Sequence, residues 1–260
     1  MLHYETSGTG NEHLVLLHGF MEDNTIWTEM EETLSDDFTL IKIDLPGHGK
    51  SQIYGEVHTL DFMAEKVQEV TQSLKLRDFH LLGHSMGGYT ALAFAEKYET
   101  DLKSLTLFFS TFFADNEEKK ATRKKSISLI QKNYESFVNT AIPNLFSENE
   151  KDILEGKIAL AKKIALKTAP AGVAAAQLGM AERPDRTSVL ENFEGKIVII
   201  SGKHDKAVDV AKTTESILDK TNIKSYLLDC GHNGHWEKPS ICAEILNTEL
   251  LHNLPKNYNF

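Results

Sequence analysis

Cysteine is almost missing from the chain, with only Cys230 and Cys242 in 260 residues. Two thiols cannot build a disulfide framework, and a reduced, cytoplasmic setting is the expectation. Arginine is scarce as well: Arg77, Arg123, Arg183 and Arg186 are the whole complement. The formal net charge is −10 and no Lys/Arg run is dense enough to track a phosphate backbone, which argues against nucleic acid and anionic membrane surfaces as partners. No stretch approaches the roughly 18 uninterrupted apolar residues of a membrane span. The N-terminal "MLHYETSGTGNEH" has no basic segment followed by an apolar one, so it does not read as a secretory signal. Internal repeats and low-complexity tracts are also missing.

What is present is ordinary globular material, 41% hydrophobic and 25% charged, long enough for one large domain or one domain with an insert. Continuous apolar runs stand at "HLVLLHG" (13–19), "FTLIKIDL" (38–45), "FHLLGH" (79–84), "LKSLTLFFS" (102–110), "KIVIISG" (196–202) and "KSYLLDC" (224–230). Runs of this kind mark strands buried on both faces of a parallel sheet. Leu60, Met63, Val67, Val70 and Leu74 form one helical stripe. Further helices are expected over 86–98, 206–219 and 239–253, the last with Pro239 in its first turn. Strand–helix alternation implies an α/β sheet with right-handed crossovers. It breaks over residues 113–189, where amphipathic and small-residue helices replace strands. This segment is expected to be a helical cap over the sheet's C-terminal edge, inserted into a core made of 1–112 and 190–260.

Gly83-His84-Ser85-Met86-Gly87 is G-x-S-x-G between a strand and a helix. A turn that sharp strains the serine backbone, needs small neighbours and projects Oγ above the sheet edge. The Met86 N–H then lies at a helix N-terminus, where partial positive charge suits an oxyanion. A serine hydroxyl needs a base. His232, in "CGHNGHWEKP", leaves the last strand first, with His235 as its rival. The base needs an orienting acid, and Asp205 in "SGKHDKAVD" stands at a strand end in the chain order Ser, Asp, His. Asp209 and Asp115 are alternatives, and a helix N-cap is the plain structural use of Asp205. Phe20, after His18-Gly19, is the candidate second oxyanion N–H. His18, Trp27, His84 and Tyr89 are candidate pocket residues, with His18 also suited to bracing its loop. His232, His235 and Glu237 lack the spacing of a zinc site, so no metal or other cofactor is expected.

The order-preserving set "LLHGF", "IDLPGHGKS", "LLGHSMGG", "SGKHD" and "GHNGHWEKP" resembles the α/β-hydrolase superfamily across nearly the whole chain. The superfamily's G-H, four residues, Glu, one residue, Pro is reproduced by Gly231 to Pro239, which supports His232 over His235. The resemblance implies a mostly parallel eight-stranded sheet with a helical cap, a Ser85–Asp205–His232 triad, and oxyanion donors Phe20 and Met86. "LGMAERPD" (178–185) looks like a segment of small bacterial esterases and enol-lactonases. A serine nucleophile argues against haloalkane dehalogenases and epoxide hydrolases, which use Asp. The menaquinone-pathway lyase is similar in "LVLLHGF" and "IDLPGHG", but its elbow usually continues S-M-G-G-R where this chain has Tyr89. The expected activity is hydrolysis of a small to medium acyl ester through an acyl-enzyme, by a monomer or homodimer. Carbon–carbon hydrolysis or lyase chemistry with the same triad is the alternative within enzymes. A slow-turnover hydrolase-fold receptor is the alternative from another class.

Overall fold

Alternate residues of the central strands serve two different cores. Val15, Leu17, Leu81, Leu105, Leu107, Ile197 and Ile199 pack on one face with the helices Leu60–Ser73 and Met86–Tyr98. Leu14, Leu16, Leu82, Phe108, Val198 and Ile200 pack on the other with Thr28–Leu34 and Pro239–Leu251. Both strand faces are therefore dry, which is why these segments read as unbroken apolar runs. The computed structural model describes residues 1–217 and 219–251.

The strands are β1 (Tyr4–Ser7), β2 (Glu12–Leu17), β3 (Phe38–Ile43), β4 (Phe79–His84), β5 (Leu102–Phe108), β6 (Lys196–Gly202) and β7 (Ile223–Leu228). They form one sheet in the order β1-β3-β2-β4-β5-β6-β7, with only β1 antiparallel to its neighbour. The sheet has seven strands among the described residues, where the resemblance implied eight. β1 is a short edge strand whose "YETS" carries no apolar run. Since β2 to β7 are parallel, their C-terminal ends share one edge. Chain order reverses between β2 and β4, and the crevice there is where open α/β sheets hold ligands.

One helix is shorter than its sequence suggests. Among the described residues of 206–219 the helix is Val210–Glu215, and it starts late because Asp209 caps it through the Lys212 N–H at 3.0 Å; residue 218 lies outside the described residues. The last helix runs Pro239–Leu251, and the remainder of the expected 239–253 also lies outside them. Between β5 and β6 the described residues hold no strand. Helices Glu117–Lys132, Tyr134–Ala141, Glu155–Lys167, Pro170–Ala181 and Thr187–Asn192 fill this stretch. Gly172 and Gly179 let the small-residue helix lie against the loop after β3: a Cβ on Gly179 would sit 1.7 Å from the His58 carbonyl oxygen.

Candidate active site

Ser85 follows β4 with φ 49° and ψ −110°, a conformation that costs a non-glycine residue about 1–3 kcal/mol. The surroundings over-determine it. Its N–H donates to the Phe108 carbonyl at 3.0 Å, and its carbonyl accepts from the Gly88 N–H at 2.9 Å and Ser110 Oγ at 2.8 Å. A Cβ on Gly83 would lie 2.1 Å from the Gly87 carbonyl oxygen, and one on Gly87 would lie 2.4 Å from that of Leu17. Two side chains would thus push the helix off the strand and open the turn. Ser85 is only partly buried while the residues around it in the turn are fully so. Among the described residues, the N–H groups of Phe20 and Met86 have no hydrogen-bond acceptor within the chain.

Asp205 and His232 are brought together from the ends of β6 and β7. His232 Nδ1–H donates to Asp205 Oδ2 at 2.7 Å, with both side chains almost wholly buried. Asp205 Oδ1 accepts from the N–H groups of Ala207 (2.7 Å) and Val208 (3.1 Å), so the acid also caps its own loop. Burial pushes this carboxyl up, but His232 and the two amides outweigh it and the net direction is down. His232 and Ser85 line one cavity of about 320 Å³. Their side chains are not hydrogen-bonded to each other, and such contacts often tighten only around substrate.

The rivals have other employment. Asp115 is tied to Arg123 (2.5 Å) and Arg183 (2.7 Å). Asp209 is the helix cap already described. His235 is fully buried with neither ring nitrogen hydrogen-bonded, and burial holds its pKa well below the ordinary value. Glu237 explains the spacing around His232: it accepts from the N–H groups of Gly231 (2.9 Å), Asn233 (3.1 Å) and Ser147 (3.0 Å). One carboxylate therefore shapes the loop that carries His232 and fastens it to the segment after β5.

Of the four candidate pocket residues, His84 and Tyr89 line the cavity and His18 and Trp27 do not. His18 donates from Nδ1 to the Gly19 carbonyl (2.7 Å) and accepts the Leu45 N–H at Nε2 (2.9 Å), so its neutral ring braces two loops. Trp27 is core, packed on Phe108 and His235. Beyond the sequence candidates, Met21, Phe137, Leu145 and Met180 supply apolar wall, while Lys119, Arg123 and Lys206 supply cations. Glu22 was missed altogether, although an acid three residues past Gly19 was a signal. Its Oε2 accepts from the Gly19 N–H (2.6 Å) and from His84 Nδ1–H (2.8 Å). Glu22, His84 and His235 have metal-ligating atoms within 4.8 Å of one another. Glu22 and His84 are already committed to each other and to backbone groups, so the set fits an ion pair better than a cation site.

A parallel sheet, a strained serine at the switch point and a buried Asp–His pair at the same edge define a hydrolase-type fold. The sequence matches the family with the alpha/beta hydrolase fold over residues 12–239, and the chain belongs to it. It is similar to the putative 2-succinyl-6-hydroxy-2,4-cyclohexadiene-1-carboxylate synthase of Bacillus subtilis, with 28% identity over 257 residues covering 92% of this chain and 90% of that protein. Among solved structures it is similar to a thermophilic esterase from Thermogutta terrifontis, with 32% identity and a TM-score of 0.91 over 96% of this chain and 93% of that one. The enol-lactonase of Burkholderia xenovorans shares the fold at TM-score 0.89 and 21% identity, covering 96% of both chains.

Proposed function

We propose that the protein hydrolyses carboxylic esters of small to medium acyl size through an acyl-enzyme on Ser85. The observation that carries this is the convergence on one cavity of a strained, partly exposed serine and a histidine whose Nδ1–H is held by a buried carboxylate. Ser85 Oγ attacks the ester carbonyl while His232 Nε2 takes its proton. Asp205 fixes the tautomer that leaves Nε2 free to accept and stabilises the imidazolium that forms. The Phe20 and Met86 N–H groups receive the oxyanion; donors of this kind are worth about 10²–10³ each in kcat. The tetrahedral intermediate collapses, His232 protonates the departing alkoxide, and a water activated by the same ring releases the acid. The cavity stands at the low end of the roughly 300–1,000 Å³ usual for ligand sites, which favours short acyl groups against Met21, Phe137 and Leu145.

A panel of p-nitrophenyl esters of increasing chain length tests this, with Ser85→Ala alongside. The expected result is turnover that falls with long chains and is abolished in Ser85→Ala. Ser85→Ala hydrolysing at the wild-type rate would refute the mechanism. No ester turned over, with Ser85 still labelled by a fluorophosphonate, would redirect the reading to carbon–carbon chemistry at the same serine.

A further inference from the structure

One ring and one carboxylate, neither of which touches the reacting atoms in the mechanism above, reach all three parts of the site. Glu22 Oε2 holds the Gly19 N–H, one residue before the Phe20 oxyanion donor. The same oxygen holds His84 Nδ1–H, one residue before the nucleophile. His84 Nε2–H, on the far side of the ring, donates to the carbonyl of His232 itself at 3.0 Å. Glu22 is 5% exposed and His84 1%, so water does not compete for these bonds. We propose that Glu22 and His84 are positioning residues that lock oxyanion loop, nucleophile turn and base loop into one unit, and that they do so as a carboxylate–imidazolium pair. This rests on the reading of Ser85, Asp205 and His232 as an acyl-transfer site.

The charge follows from the connectivity. A neutral imidazole has one N–H, whereas this ring faces an acceptor at each nitrogen. Only the protonated ring donates to both. Burial alone pushes the His84 pKa down, but Glu22, the His232 carbonyl and Asp205 outweigh it and the net direction is up. Burial likewise pushes Glu22 up, and the charge and hydrogen bond of His84 reverse it. The other titratable groups on the pair are few. His235 Nε2 approaches Glu22 Oε1 at 3.6 Å, and the His232 and His235 rings lie 5.0 and 4.7 Å from that of His84. Phe108 and Phe109 close the remaining side without charge.

Glu22→Gln isolates the charge. The glutamine oxygen can still accept from Gly19 and from His84 Nδ1–H. A ring beside a neutral amide, however, loses its second proton and turns a lone pair towards the His232 carbonyl. The base loop is then released while the cavity walls stay in place. Misplacing a catalytic group by about 1 Å costs on the order of 10²-fold. The expected result for Glu22→Gln is a fall in kcat of about ten- to a hundredfold, with KM within about twofold and a melting temperature lowered by no more than a few degrees. Wild-type kcat should also fall on the alkaline side as His84 loses its proton, and this limb should be missing from the variant. ¹⁵N NMR of the wild-type histidines should show both His84 nitrogens protonated at pH 7, with a titration that coincides with the alkaline limb. A folded Glu22→Gln enzyme with kcat within twofold of wild type overturns the proposal. So does a single protonated nitrogen on His84 at pH 7. If the variant does not fold, the wild-type NMR titration decides alone, by matching the alkaline limb or failing to. Should the wild type turn over no ester, the rate of fluorophosphonate labelling of Ser85 replaces kcat throughout, which separates failure of the ester reading from failure of this one.

Discussion

Exchanging Asp205 for Asn replaces one oxygen by an NH₂ group and should remove nearly all activity while leaving the fold intact. The two Asp205 oxygens are not equivalent. Oδ1 accepts the Ala207 and Val208 N–H groups, and Oδ2 accepts His232 Nδ1–H. In Asp205→Asn the two amides hold the remaining oxygen at the Oδ1 position, so the NH₂ must face His232. Two donors cannot share that gap. The ring responds by presenting a lone pair at Nδ1 and carrying its proton on Nε2, the nitrogen that takes the proton of Ser85 in the proposed mechanism. The base is then in place and unable to accept. Loss of the right tautomer and of imidazolium stabilisation costs about 10³–10⁴ in kcat, or about 4–5.5 kcal/mol of barrier. The loop caps survive, so the melting temperature should move by only a few degrees. Aryl-ester kinetics with parallel thermal melts measures both. An Asp205→Asn enzyme within tenfold of wild-type kcat would show that the His232–Asp205 bond does not set the base.

Glu237→Ala should act in the opposite balance, through stability first. It strands three buried N–H groups at about 1–3 kcal/mol each at most, which thermal melts should show as a drop of several degrees, with kcat falling as the His232 loop loosens. Gly87→Ala places a Cβ 2.4 Å from the Leu17 carbonyl oxygen, and should cost about 1–3 kcal/mol in denaturant titrations together with much of the activity. Phe137→Ala should enlarge the apolar end of the cavity and move the best acyl chain to longer esters in the same panel, with Ser85 labelling unchanged. Finally, burial depresses the pKa of His48 to about 3 and of His80 to about 4, from 6.5. The unfolded chain binds protons that the native one refuses, so stability should decline as pH falls from about 6.5 towards 4. His80→Gln should flatten that decline in pH-dependent melts.

The residues that meet at the candidate site could be picked out in the sequence because what each needs is local. A strained serine between glycines, an acid at one strand end and a histidine at the next each leave a mark within a few residues. Side-chain alliances across the fold leave none. Trp27 was a candidate for the pocket as an aromatic, but the chain turns it into the core, whereas His18, also suited to bracing its loop, does brace two loops and stays out of the cavity. Glu22 escaped notice because its partners are Gly19, three residues before it, and His84, sixty-two residues after it. Glu237 stood in the motif, yet its work on three backbone amides is visible only in three dimensions. The edge strand β1 failed to register for a different reason: one antiparallel neighbour and half-buried residues produce no apolar run. The helices between β5 and β6 were apparent from periodicity. Which of their residues face Ser85 depends on how they pack, and Phe137 and Arg123 emerged only there.

The central claim is that an acyl group passes through Ser85. Rapid quench of the enzyme with a short-chain p-nitrophenyl ester, followed by peptide mass mapping, tests it most directly. The account predicts an acyl adduct on the peptide containing Ser85, formed within the burst of nitrophenol release and absent from Ser85→Ala. Turnover of the ester with the acyl group on another residue, or with burst and adduct unaffected in Ser85→Ala, would contradict it.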